Sequence, residues 1–71
     1  MSEAITLAAA ASDRDPRTGL RAVAALRKLV DQLERAQVRS ARTQGWSWAD
    51  VAQELGVSRQ AAFKKHHGGT P

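Results

Sequence analysis

The sequence predicts an all-α protein. A long helix is followed by two short helices joined by a tight turn, and a short N-terminal helix or tail precedes them, giving three to four helices. Three observations carry this. Apolar residues recur at helical spacing, as Val23, Leu26, Val30 and Leu33 and again as Trp48, Val51, Ala52 and Leu55. Asp15, Ser47 and Ser58 stand where helices begin, and Gly45, Gly56 and Gly68-Gly69 where they end. Finally, 71 residues without cysteine leave room for one small domain and no disulfide framework.

Residues 2–12 are read as the first helix. Ser2 can cap it, Glu3 suits the positive end of the helix dipole, and the alanine run favours helix. A helix this short is marginal unless it docks on something; otherwise it is a frayed tail. Ser12 to Pro16 is a break. Asp15 is then the N-cap and Pro16 the first residue of the long helix. That helix is expected to run from 16 to 44, spanning roughly 42 Å at 1.5 Å per residue, with Gly45 at its cap. Its length leaves room for a break near Arg39-Ser40.

The long helix carries more than one apolar stripe. Leu20, Val23, Leu26, Val30 and Leu33 form a short heptad-like seam, with Leu29, Ala36 and Val38 beside or behind it. One part can receive Trp48, Val51 and Leu55. The seam itself is expected to form a dimer interface, because a monomer this small has little else to bury. Arg27–Asp31 and Asp31–Arg35 are opposite charges at i, i+4.

Residues 46–67 are the most informative stretch. Ser47 with Asp50 three residues later approximates a capping box, and Trp46 and Val51 stand at the positions of a hydrophobic staple. Gly56 can take the left-handed conformation that ends a helix. Ser58 caps the second helix, with Val57 beside it expected to pack inward. Two short helices with a glycine in the link are the sequence form of a helix-turn-helix. The run Trp-Ser-Trp-Ala-Asp-Val-Ala, continuing to Leu-Gly-Val-Ser-Arg-Gln-Ala, resembles the DNA-binding helix-turn-helix of bacterial regulators, small actinobacterial ones in particular. Ala52 matches the small residue that lets the helices approach, Gly56 the turn glycine, and Val51, Leu55, Val57 and Ala62 the apolar positions. Lys65 departs from the pattern, since many relatives carry an apolar anchor there.

In this motif the second helix enters the major groove and its first residues reach base edges. Arg59, Gln60, Phe63 and Lys64 are therefore the expected base readers: Arg59 toward guanine, Gln60 toward adenine, Phe63 toward a thymine methyl or else covering the core edge. Ser47, Ser58, Lys65, His67, Arg39 and Arg42 are the expected phosphate contacts. Arg35 shares the face of Arg39 and Arg42, which is either a basic rail or a solvated surface. Trp46 and Trp48 are read as structural.

Charge agrees with this reading. The chain has 11 Lys and Arg against 7 Asp and Glu, a formal +4. Residues 39–67 hold five of those bases and two of the acids, so most of the excess lies on and next to the motif. Adjacent His66 and His67 diverge by about 100° on a helix, which argues against a shared metal. No cofactor, metal or small-molecule ligand is expected. With no phosphate loop and no nucleophile beside a base, an enzyme is not expected either. No signal peptide or membrane span is visible, so a cytoplasmic, nucleoid-associated location is expected. The leading expectation is sequence-specific double-stranded DNA binding by a homodimeric transcriptional regulator. The competing ones are a protein-interaction module that docks on a sigma factor, polymerase or other regulator, and a nucleoid-associated or phage packaging protein with little sequence preference.

Overall fold

The computed structural model describes residues 2–67, which form an all-α chain. The helices are α1 (Glu3–Ala11), α2 (Pro16–Thr43), α3 (Trp48–Leu55) and α4 (Arg59–His67). None of them is long and apolar enough to cross a membrane. The chain divides after Leu33, partway along α2, into two compact units. Gly68-Gly69, read as the stop for α4, lie outside the described residues.

In the first unit, Ser2 caps α1 by accepting the Ile5 amide at 3.2 Å. Ser12 ends the helix, its amide bonded to the carbonyls of Ala9 and Ala10. Asp15 then starts α2 as its spacing predicts. Its carboxylate accepts the Arg17 amide at 3.2 Å and the Thr18 hydroxyl at 3.1 Å. Gly19 is buried beside the α1–α2 link, and a Cβ there would stand 3.4 Å from the Ala11 and Asp13 carbonyl oxygens. Ala22 is the one residue of α2 that this unit buries fully among the hydrophobics. Val23 and Leu26 are half-buried. The rest of the seam is in water: Leu20 is 68% exposed, and Val30 and Leu33 are each 56% exposed.

In the second unit, α2 runs without interruption through Arg39-Ser40, so the break considered there does not occur. The helix stops at Thr43 through a pair of reverse bonds. The Gly45 amide reaches the Arg42 carbonyl at 3.0 Å, and the Trp46 amide reaches the Ala41 carbonyl at 3.0 Å. The end of α3 repeats the arrangement. The Gly56 amide bonds the Gln53 carbonyl at 3.3 Å, and the Val57 amide bonds that of Ala52 at 3.1 Å. Both ends are Schellman motifs, which need a left-handed residue, and Gly45 and Gly56 supply it at φ of 90° and 73°.

The core of this unit is built from small side chains: Val38, Val51, Ala52 and Ala62, with Ala41 and Trp48 packed against them. α2 thus receives the helix pair through Val38 and Ala41, not through its heptad seam. Two sequence expectations need correction. Leu55 is 37% exposed and does not complete the buried face of α3. Val57 is 46% exposed and does not pack inward, because its position is spent on the backbone turn that closes α3.

Candidate nucleic-acid interface

The site is built on α3 and α4, and the two turns fix where each begins. Ser47 accepts the Asp50 amide at 3.0 Å, and the Asp50 carboxylate accepts the Ser47 amide at 3.4 Å, a complete capping box. Ser58 accepts the Ala61 amide at 3.0 Å and so caps α4. In both serines the oxygen accepts and the hydroxyl proton remains available to a phosphate. The first amides of each helix, left without intrahelical carbonyls, point the same way as the positive end of the helix dipole.

Ala62 is the inward anchor of α4, 2% exposed. At about 100° per residue, Gln60 and Lys64 lie roughly 160° round the helix from it, on the opposite face. Both are exposed, as are Arg59 at the first position of the helix and Ala61. This face carries no acidic side chain. With Arg59 exposed at the helix start beside this face, α4 presents a guanidinium, an amide and an ammonium within about one and a half turns, a donor set suited to guanine and adenine edges in a major groove.

Phe63 is placed differently from the other residues expected to read bases. Its ring meets Trp48 edge-on, with centroids 5.5 Å apart, and stacks on His67 at 4.2 Å. His67 in turn lies edge-on to Trp48 at 6.5 Å. Of the two sequence readings for Phe63, the geometry favours covering the core edge, although 40% of the residue stays exposed. His67 is likewise held by ring contacts, which leaves it less free to follow a phosphate.

Arg42 and Lys65 also have work inside the protein. The Arg42 guanidinium lies 4.7 Å from the Trp48 ring centroid and donates to the Trp46 carbonyl, bracing the link between α2 and α3. The Lys65 ammonium stands 2.9 Å from a Glu34 carboxylate oxygen. The same oxygen is 2.6 Å from His66 Nε2, and the His66 side chain is only 6% exposed. Both residues are thus tied to α2, in place of the apolar anchor that Lys65 displaces. Arg39, by contrast, is exposed, and its side chain makes no ion pair among the described residues.

Glu34 is the residue that sequence reasoning missed. It lies on the α2 face of Val38 and Ala41, at i, i+4 and i+7, but a search for apolar periodicity passes over a carboxylate. Its carboxyl is held below the usual range, first by the Lys65 hydrogen bond and then by His66, against an opposing desolvation. Among the described residues no group of three or more His, Asp or Glu is placed to hold a metal ion.

Comparison of the chain with protein-family models, with curated proteins and with solved structures yields no significant match.

Proposed function

We propose that the chain binds double-stranded DNA in a sequence-specific manner through α3 and α4, and that it acts as a homodimeric transcriptional regulator. The observation that carries this reading is the outward face of α4. Gln60 and Lys64 stand there exposed, with Arg59 exposed at the helix start, on a helix that contains no acidic residue and is capped by Ser58. α3 precedes it with its own capped, amide-bearing end, suited to a phosphate as the first helix of such a pair crosses the backbone. Phosphate contacts come from Ser47, Ser58 and Arg39. Lys65, Arg42 and His67 serve the packing of the unit.

The dimeric part rests on the apolar surface that Leu20, Val30 and Leu33 leave in water, at 56–68% exposure. Ile5 on α1 adds to it at 58%. So much large apolar surface on so small a chain is what self-association covers.

Fluorescence-anisotropy titration with genomic fragments and with random duplexes tests the reading. Binding should weaken steeply as salt rises, since each phosphate contact releases a counterion, and selected duplexes should bind more tightly than random ones at physiological salt. Equal affinities would favour a packaging role without sequence preference. No salt-sensitive binding at micromolar protein would rule out both.

A further inference from the structure

The second unit has a surface that DNA binding does not use. Beside the Val38–Val51 contact, α2 and α3 leave an open groove of about 310 Å³. Its lining is largely apolar and includes Trp46 and Leu55, 39% and 37% exposed. Gln37 and Gln44 of α2 and Glu54 of α3 border it. A shallower recess next to it shares Gln44, Trp46 and Glu54 and adds Asp50.

Charge decides what this groove can take. The unit contains three carboxylates: Glu34, Asp50 and Glu54. Glu34 is ion-paired with Lys65 and in hydrogen-bond contact with His66. Glu54 lines both depressions, and Asp50, one helical turn before it on α3, lines the shallower one. Glu54 has no ion-pair partner among the described residues. The unpaired negative charge of an otherwise basic unit is therefore gathered beside its exposed tryptophan and leucine. Carboxylates there favour a cationic partner.

The geometry points to a protein-docking groove for a basic amphipathic helix of another protein. Its apolar anchor sits against Trp46 and Leu55, and its arginine or lysine side chains meet Glu54 and Asp50. The Gln37 and Gln44 amides satisfy polar groups at the rim. An apolar centre with a charged rim of matched sign is the usual anatomy of such an interface, and an amphipathic helix laid in an apolar groove is a recurring mode of recognition. This inference does not depend on the DNA-binding reading, because the groove shares no residue with the outward face of α4 or with Ser47, Ser58 and Arg39.

The test uses the ¹⁵N,¹³C-labelled full chain and a synthetic amphipathic helical peptide of leucine and arginine. The peptide should move the Trp46 indole and Leu55 methyl resonances in a saturable way. The same peptide with serine for leucine, or with glutamate for arginine, should leave them in place. Glu54→Lys should weaken the peptide about tenfold, with Glu54→Gln intermediate, and should leave duplex DNA affinity undiminished. The proposal fails if the serine peptide acts equally, which would mean charge attraction alone, or if Glu54→Lys changes nothing. It also fails if the groove resonances move with protein concentration alone, which would make a second copy the occupant, or if duplex DNA moves the Leu55 methyl resonances.

Discussion

Glu34 shows how much of this unit depends on one side chain. α4 contributes only Ala62 to the buried apolar core, so its seating relies also on the Phe63–Trp48 ring contact and on the Glu34 contacts with Lys65 and His66. Glu34→Gln should destabilise the chain by about 1 kcal/mol in urea unfolding, below the usual range for charged hydrogen bonds because Lys65 is half-exposed. The effect is pH-dependent with a definite sign. The folded carboxyl titrates below the unfolded one, so its contribution is complete above the unfolded value near 4.5 and is lost as pH falls through the lowered folded value. The stability gap between wild type and Glu34→Gln should therefore hold from pH 7 to about 5 and close below it. At this scale the sequence was only partly legible. Ala62 and the serine caps follow from spacing. The Glu34–Lys65–His66 cluster and the Arg42–Trp48 contact do not, because they join charged residues that pattern reading assigns to solvent.

At the scale of elements, the helix boundaries were the most legible feature, since each rests on local chemistry. Ser2, Asp15, Ser47 and Ser58 all cap as their types suggest. Two glycines separate the reasons for using that residue. Gly56 at φ 73° is in the left-handed region, so Gly56→Ala should cost about 1 kcal/mol even with open space around the new methyl. Gly19 is helical, and a Cβ there meets the Ala11 and Asp13 oxygens at ordinary van der Waals distance. Gly19→Ala should therefore stabilise the chain by up to about 1 kcal/mol through helix propensity. Thermal unfolding of the two variants should shift in opposite directions. Which stripe of α2 receives the helix pair was not legible. Val38 and Ala41 are smaller than the leucines of the seam, and the close approach of α3 and α4 rewards small side chains over large ones.

At the scale of the whole molecule, two properties combine: an excess of positive charge, and large apolar side chains left in water. The second predicts self-association. Sedimentation equilibrium should give a dimer for the wild-type chain, and Leu20→Glu with Val30→Glu should give a folded monomer, since both positions are exposed. A strictly monomeric wild type would remove the account of this seam. The first property bears on the central claim, that the outward face of α4 meets DNA. The most direct test is amide chemical-shift mapping of the ¹⁵N-labelled chain on titration with a selected duplex. The shifts should concentrate at Arg59, Gln60, Ala61 and Lys64 and at the capped start of α3, and Arg59→Ala should cost about 1–3 kcal/mol of affinity and relax preference at one base pair. Shifts confined to other surfaces, or a duplex that leaves α4 unmoved, would contradict the account.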